Sequence, residues 1–338
     1  MRPAVRDAIL NGTRAAVDAH RAFRIREELE ATGGAVDVFG TIDDLGIPLF
    51  FKPLDKLIGA CVRLSPGRVG ILVTTERDLH MQRFTGAHEL GHFVLEHRGS
   101  LDDETNVRWP GQADEREPQE IEADAFAAEF LMPKWLCRDV ARRHGWGRTD
   151  LTDPRVVYQL SLRLAVSYAA TCWGLAAQGL VSIDAARALE AVRPKETKRR
   201  VLGDVVLEDP WADVWVLGPG DHRVDLALGP TDIVVLALKE QSGAGYLWDR
   251  EALERAGFVV LRDDREPAKK GTVGGPVGRR VIAHAPSAGR YEVNLTERRP
   301  WAHGAPPIHE FDLRCSTYGK QTEGEFRRGR EVVAEAHH

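Results

Sequence analysis

The hydrophobic pattern of this 338-residue chain changes near residue 195. Before that point, apolar residues recur mostly with a helical period, and a few strand-like runs occur between residues 47 and 74. After the charged segment KETKRR, short strand-like runs follow one another, separated by turns rich in Gly and Pro. Two such different patterns in one chain predict a helical domain with a small sheet, followed by a β-sandwich.

We therefore predict an α+β chain with four parts. They are a first domain at 1–194, a linker at 195–204, a β-domain at 205–315 and a polar tail at 316–338. Hydrophobic residues make up 43% and charged residues 29% of the chain, which is enough for two cores of ordinary size.

The cysteines and the apolar segments bear on the cellular location. The four cysteines lie far apart and form no CxxC pair, so a disulfide framework is not indicated. The N-terminus lacks the apolar core of a signal peptide. The uncharged segment Leu164–Ile183 has the length of a membrane span, but its polar residues and glycines favour two packed helical segments. We predict a cytoplasmic protein with no membrane segment.

The charge balance argues against nucleic acid as a partner. The chain has 46 basic and 51 acidic residues, a formal net charge of −5. The densest basic cluster, Lys195 to Arg200, falls in the predicted linker, where charge runs are usually solvated. No direct nucleic-acid binding is expected.

The strongest chemical signal is the segment His88-Glu89-Leu90-Gly91-His92. Two histidines four residues apart on a helix point to one side, so both imidazoles can reach one metal ion. Glu89 then faces the open side of that ion, where it can take a proton from bound water. The pattern predicts a zinc site with a general base.

A third ligand is needed, and a later helix offers carboxylates. Glu120 and Asp124 are four residues apart and share one helix face, which suits Glu120 as the ligand and Asp124 as a hydrogen-bond partner of His88. Glu122 remains an alternative ligand. His97 would lie about 140° round the helix from His92, so we expect it to face solvent or to pack.

The paired segments RFTGAHELGHFVLEH and EIEADAFAAEFLMP resemble the ImmA/IrrE family of zinc metallopeptidases. The resemblance spans about residues 15–190 and implies a zincin-like fold. It also implies zinc bound by His88, His92 and Glu120, with Glu89 as the catalytic base. Members of the family cut a regulator at one site, often a helix-turn-helix repressor, in stress responses or mobile-element induction. A protein substrate of this kind is therefore expected.

The second half contains the segments QSGAGYLW at 241–248, GTVGG at 271–275 and RPW at 299–301. Together they resemble the three binding loops of chagasin-like cysteine-peptidase inhibitors, which are immunoglobulin-like sandwiches. The resemblance covers about residues 205–315 and implies a possible papain-like cysteine-peptidase partner. Two segments depart from the family pattern, since QSGA replaces NPTT and Thr272 replaces a glycine. The candidate protein-binding residues are Gly245, Tyr246, Trp248, Gly274, Gly275, Arg299, Pro300 and Trp301.

Two functions follow from these resemblances. The first is a zinc endopeptidase whose β-domain recognises a substrate, senses a signal or holds the peptidase inactive. The alternative is a cysteine-peptidase inhibitor or protein-interaction module with the zinc domain as a scaffold. The complete set of ligands and base favours the enzyme.

Overall fold

The computed structural model describes residues 2–65, 68–97, 100–103, 117–266, 275–302 and 304–328. The chain has a mixed α/β architecture, with a helical N-terminal region and β-sheets in the C-terminal part. Its contacts divide it into two compact units. The first unit comprises Met1–Glu28, Val36–Pro133 and Lys320–His338, and the second comprises Leu29–Ala35 and Lys134–Gly319.

The first unit combines helices with one five-stranded sheet. Its helices are α1 (Pro3–Ala22), α3 (Val38–Asp44), α4 (Leu79–Val94) and α5 (Pro118–Leu131), and α2 (Ile25–Thr32) begins in this unit and ends in the second. Its strands are β1 (Leu49–Lys52), β2 (Leu57–Ser65), β3 (Arg68–Thr74), β4 (Ser100–Asp103) and β13 (Gly324–Glu325). The strand-like runs between residues 47 and 74 are therefore present as β1, β2 and β3.

The sheet of the first unit has the order β13-β1-β3-β2-β4. Strands β1 and β3 are parallel, whereas β2 is antiparallel to both β3 and β4. Strand β13 pairs antiparallel with β1, and Phe326 N donates to Leu49 O at 2.8 Å. Part of the predicted polar tail is thus a strand of the N-terminal sheet. The hydrophobic pattern did not indicate this strand, because pairing between backbones does not require apolar side chains.

Helices α4 and α5 carry the chemical motifs and pack on each other, and α4 also packs on strands β2 and β3. Helix α4 begins after Asp78, whose side chain accepts a hydrogen bond from Met81 N at 2.9 Å. Helix α5 begins with Pro118, which has no N–H to leave unsatisfied. Leu90 of α4 and Phe126 of α5 are fully buried. This core fixes the two helices that bear the candidate ligands.

The second unit contains five further helices in its first part. They are α6 (Lys134–Arg143), α7 (Pro154–Leu164), α8 (Tyr168–Ala177), α9 (Ile183–Glu190) and α10 (Pro194–Leu202). Ala165, with φ of +50°, ends α7, so the uncharged segment starting at residue 164 is divided between elements. Within the residues that the structure describes, no helix is both long and apolar enough to cross a membrane.

Among the residues that the structure describes, the remaining strands form two four-stranded sheets. The strands are β5 (Val214–Leu217), β6 (Asp225–Ala227), β7 (Ile233–Glu240), β8 (Leu247–Trp248), β9 (Val259–Arg265), β10 (Val277–His284), β11 (Arg290–Arg298) and β12 (His309–Ser316), and helix α11 (Glu251–Arg255) follows β8. The sheet orders are β5-β7-β10-β9 and β6-β12-β11-β8. The pairs β5–β7 and β6–β12 are parallel, and the other pairs are antiparallel.

The contacts group residues 134–194 with the β-strands, which differs from the division expected from the hydrophobic pattern. Two polar side chains of α7 explain this grouping. Gln159 Nε2 donates to Val214 O at 2.8 Å, and Arg163 Nη2 donates to Val216 O at 2.7 Å, so α7 is bonded to the edge strand β5. Buried polar bonds of this kind leave no signal in hydrophobic periodicity.

The segment expected to be a linker forms helix α10. Lys198 is buried, and its Nζ donates to Ala212 O at 2.7 Å and lies 3.1 Å from Asp213 Oδ1. Leu202 joins the core cluster that includes Val214 and Ile233. One lysine of the basic run therefore packs its aliphatic stem in the unit instead of being solvated.

Candidate metal centre

Helix α4 carries the two histidines and the glutamate of the HExxH motif in the interior of the first unit. His88, Glu89 and His92 are all buried, with Glu89 at 0% and His92 at 1% exposure. Burial of three ionisable groups on one helix is costly unless they are paired or bind an ion. The arrangement of their neighbours therefore decides what the site can do.

The side chains of His88, His92 and Glu120 converge on one point. The Nε2 atoms of the two histidines are 3.0 Å apart. Glu120 Oε2 lies 3.4 Å from His88 Nε2, and Glu120 Oε1 lies 3.6 Å from His92 Nε2. The three ligand atoms all lie within 4.8 Å of one another. A nitrogen, nitrogen and oxygen donor set of this kind suits zinc.

Asp124 contacts the other nitrogen of His88. His88 Nδ1 lies 2.9 Å from Asp124 Oδ1, and Asp124 is 1% exposed. A hydrogen bond donated by Nδ1 leaves the lone pair of Nε2 directed at the convergence point. The structure therefore brings Asp124 to the position that the spacing in α5 predicts for it.

The carboxylate of Glu89 lies against strand β2. A Cβ atom on Gly59 would be 2.6 Å from Glu89 Oε1 and 2.4 Å from Thr85 Cγ2. Only a glycine at position 59 leaves this space open. We did not predict a role for Gly59, although an isolated glycine in a strand pattern is a recognised sign of a close approach.

The surroundings of Glu120 favour its ionised form. Burial would raise the pKa of this carboxyl, but the neighbouring imidazoles of His88 and His92 outweigh burial and lower its pKa well below the ordinary value. Within the part of the chain that the structure describes, Glu120 Oε2 is buried and makes no hydrogen bond. A buried carboxylate oxygen beside two imidazole nitrogens fits a divalent metal ion, so these residues fit zinc.

The alternative ligand Glu122 points away from this centre. Its Oε2 lies 2.8 Å from His97 Nε2, and its Oε1 accepts a hydrogen bond from Asn11 Nδ2 at 3.1 Å. His97 Nδ1 in turn lies 2.9 Å from His92 Nδ1. Burial lowers the pKa of His97 despite the bond to Glu122. His97 therefore packs against a candidate ligand, on the side of the ring opposite Nε2.

Two of the candidate loops in the second unit are packed together. A Cβ atom on Gly245 would lie 2.6 Å from Trp301 Cη2, and the φ of Gly245 is +80°. The Arg299 guanidinium lies 4.6 Å from the centre of the Tyr246 ring, and Arg299 Nε donates to Ala244 O at 3.2 Å. These loops form one surface.

The other candidate loop residues differ in exposure. Trp301 is 66% exposed and Pro300 is exposed, whereas Trp248 is 8% exposed and donates from Nε1 to Lys239 O at 2.8 Å. Trp248 thus anchors its loop from inside the domain. Gly275 is partly buried, and Gly274 lies outside the described residues.

Two family models match parts of the chain. Residues 42–175 match a peptidase family described as the IrrE N-terminal-like domain. Residues 228–315 match the chagasin family peptidase inhibitor I42. No curated protein matches the chain significantly.

Solved structures are also similar to part of the chain. The cysteine protease inhibitor EhICP2 from Entamoeba histolytica is 21% identical, with a TM-score of 0.28, and the match covers 100% of that chain and 32% of this one. The solution structure of Amebosin is 16% identical, with a TM-score of 0.23, and the match covers 98% of that chain and 32% of this one. Both motif-based resemblances are thus confirmed by the family models, which match residues 42–175 to the IrrE N-terminal-like domain and residues 228–315 to the chagasin family peptidase inhibitor I42.

Proposed function

We propose that the first unit is a zinc-dependent endopeptidase. The observation that carries this proposal is the convergence of His88 Nε2, His92 Nε2 and the Glu120 carboxylate within 4.8 Å. Glu89 follows the first of these ligands directly and is fully buried beside them. A helix that places two imidazoles and a general base together, with a third ligand on a neighbouring helix, is the arrangement of zinc peptidases with the HExxH motif.

His88, His92 and Glu120 would hold the ion. When bound, zinc would supply a Lewis acid that activates a water molecule and polarises the scissile carbonyl. Asp124 keeps the proton of His88 on Nδ1, because the two atoms are 2.9 Å apart, and so leaves Nε2 available as a ligand.

Glu89 moves the proton in this proposal. Its carboxylate accepts a proton from the attacking water and delivers it to the nitrogen of the leaving amine, so that the amine departs neutral. Gly59 leaves the space that this carboxylate occupies against β2. A fixed base close to the reacting atoms lowers the entropic part of the activation barrier.

We propose a regulatory protein as the substrate, such as a helix-turn-helix repressor that controls a stress response. This part of the proposal rests on the motif resemblance of the first unit. We place the reaction in the cytoplasm, because the four cysteines lie far apart in the sequence and form no CxxC pair, which suits a reducing compartment.

The finer fold assignments belong to the same proposal. We infer a zincin-like arrangement for the first unit, since its active helix packs on a mixed sheet with an antiparallel strand. We infer an immunoglobulin-like sandwich for the two four-stranded sheets of the second unit. The β-domain at 205–315 would recognise the substrate, sense a signal or hold the peptidase inactive.

A second candidate function is inhibition of a papain-like cysteine peptidase. The packed surface formed by Tyr246, Arg299 and the exposed Trp301 favours it, because exposed aromatic and arginine side chains in a rigid setting are typical of protein-binding surfaces. QSGA in place of NPTT argues against a family-like inhibitor.

The test of the peptidase uses Glu89→Gln in the full chain. The zinc-loaded protein is incubated with candidate regulators, and the products are identified by mass spectrometry. We expect one specific cut by the wild type and none by the variant, with equal zinc content in both. Full activity of Glu89→Gln contradicts the proposed mechanism.

Inhibition is measured separately, by titrating a papain-like peptidase with the same two proteins. Equal inhibition by both, with no cleavage of any regulator by the wild type, favours the second function.

A further inference from the structure

We infer that His97 and Glu122 are positioning residues, which form a hydrogen-bonded chain that orients His92 toward the metal. This inference rests on the proposed metal site and deepens it. The chain runs from Glu122 Oε2 to His97 Nε2 at 2.8 Å and from His97 Nδ1 to His92 Nδ1 at 2.9 Å. His92 Nε2 then faces His88 Nε2 at 3.0 Å.

The way α4 ends brings His97 back to His92. The helix stops at Val94, and Glu96 takes a left-handed conformation with φ of +56°. Glu96 N donates to Phe93 O at 3.2 Å, and His97 N donates to His92 O at 3.0 Å. This is a Schellman motif, which reverses the chain direction after the helix.

If helix α4 continued to residue 97, the side chain at that position would lie about 140° round the helix from His92. The left-handed conformation of Glu96 turns the chain so that this angular separation no longer applies. It places the ring of His97 4.9 Å from the ring of His92, with an interplanar angle of 70°.

Arg63 holds this turn from the neighbouring strand β2. Its Nε donates to His97 O at 3.1 Å, and its Nη2 lies 3.3 Å from His92 O and 3.4 Å from Phe93 O. These carbonyls belong to the last helical turn and to the residue that follows the left-handed position. A cation at a helix C-terminus is favourable for the macrodipole as well. The position of His97 is therefore fixed by its backbone and not by its ring alone.

The bonds determine which nitrogen of each ring carries a proton when His92 is a ligand. His92 Nε2 must be unprotonated to bind a metal, so His92 Nδ1 carries the proton and donates it to His97 Nδ1. His97 Nε2 then carries the other proton and donates it to Glu122. Each bond has one donor and one acceptor, so the chain is consistent throughout.

Glu122 is itself held in place by α1. Asn11 Nδ2 donates to Glu122 Oε1 at 3.1 Å, which leaves Oε2 for His97. The Glu122 side chain is 18% exposed and that of His97 is 9% exposed, so water competes little for these bonds. Asp124 and Glu122 of α5 therefore serve different histidines. Asp124 contacts His88 directly, and Glu122 contacts His92 through His97.

The expected size of the effect follows from this difference. Hydrogen-bond partners of ligating histidines typically contribute about 10- to 100-fold to metal affinity. A neutral imidazole is a weaker acceptor than a carboxylate. We therefore expect the loss of His97 to weaken zinc binding by about tenfold, the lower end of that range.

The test measures metal binding, not only activity. Zinc affinity of the full chain is determined by competition with a chromophoric chelator, and the Co²⁺-substituted protein is compared by its visible absorption spectrum. The variants are His97→Ala, which removes both bonds, and His97→Asn, whose side-chain oxygen can still accept from His92 but whose amide cannot reach Glu122. His80→Ala, at the beginning of the same helix, is the matched control.

We expect His97→Ala to bind zinc about tenfold more weakly and to change the Co²⁺ spectrum, with His97→Asn intermediate and His80→Ala like the wild type. Thermal unfolding of the metal-free proteins shows whether each variant folds, and His97→Asn remains informative if His97→Ala does not fold.

Zinc affinities within a factor of about two of the wild type for both His97 variants, with unchanged Co²⁺ spectra, overturn the inference while leaving the metal site intact. A wild-type chain that binds neither ion stoichiometrically contradicts the proposed function instead, so the two failures are distinguishable.

Discussion

Gly59 lies so close to Glu89 that a Cβ atom on Gly59 would be 2.6 Å from Glu89 Oε1. We expect Gly59→Ala to displace this carboxylate and so to lower the rate of substrate cleavage by about 100-fold, because a shift of about 1 Å in a catalytic group costs that much. Zinc affinity should stay unchanged, since no candidate ligand is touched. The rate is measured with the regulator cut by the wild type.

Gly70→Ala is the matched control on the neighbouring strand β3. A Cβ atom there would meet nothing nearer than Pro48 O at 3.6 Å, which is an ordinary contact. We expect a change in unfolding free energy within about 0.5 kcal/mol and an unchanged rate. Equal losses of rate in both variants would show that strand β2 has no special relation to Glu89.

The sequence predicted a shared site on α4 and α5 because the i, i+4 spacing of their candidate ligands and hydrogen-bond partner places each pair of side chains on one helix face. His88, His92, Glu120 and Asp124 could be placed by counting residues along helices. His97 could not, since its position depends on a left-handed residue at Glu96, and glutamate gives no sign of that conformation. Gly59 could have been recognised from its place within a strand-like run.

The long-range contacts of the chain's last segment were not predictable from local pattern. Residues 320–328 are polar except for Gly324 and Phe326, yet they return to the first unit through backbone hydrogen bonds. Truncation after Pro194 would remove this segment together with residues 195–319 of the second unit, and it would leave residues 134–194 of that unit behind. Autoinhibition is therefore better tested in the full chain.

Gln82 of α4 is the side chain that receives this returning segment. It is fully buried, and its Nε2 donates to Thr74 O and to Gln321 O, each at 3.0 Å, while its Oε1 accepts from Gln321 N at 2.8 Å. We expect Gln82→Ala to lower the free energy of unfolding by about 2 kcal/mol, because it leaves buried main-chain groups unsatisfied. Urea unfolding of the metal-free chain measures this change.

The variant Gln321→Ala tests whether the main chain or the side chain of Gln321 makes the contact with Gln82. Gln321 bonds to Gln82 through its backbone N and O, so its truncation should change the unfolding free energy by less than about 0.5 kcal/mol. A loss as large as that of Gln82→Ala would contradict this account.

The burial of His20 in α1 leads us to predict that the free energy of unfolding depends on pH. Burial lowers the pKa of His20 below its ordinary value of 6.5, although its hydrogen bond to Phe130 O, at 2.8 Å, acts in the opposite direction. As the pH falls below 6.5, the unfolded chain binds a proton that the folded chain does not. Stability therefore falls with decreasing pH until the lower folded pKa is reached.

We expect His20→Gln to remove this part of the pH dependence, because glutamine does not titrate. Unfolding free energies of the two metal-free proteins are compared at pH 7.5, 6.5 and 5.5. The slope of the wild type should exceed that of the variant by up to about 1.4 kcal/mol per pH unit within this window. Identical slopes would show that His20 is not held in its neutral form.

The packing of the two loops in the second unit depends on the backbone conformation of Gly245. Alanine there must adopt a φ of +80° and would place Cβ 2.6 Å from Trp301 Cη2. We expect Gly245→Ala to separate the two loops and to abolish binding of any protein partner at this surface.

Gly257→Ala is the matched control. Its φ is +90°, but a Cβ atom on Gly257 would meet nothing nearer than Pro286 Cβ at 3.4 Å. Both variants should lose about 1 kcal/mol of stability from backbone strain, and only Gly245→Ala should also lose inhibition of a papain-like peptidase or binding of a regulator. Unchanged partner binding by Gly245→Ala would exclude the packed loops as the contact surface.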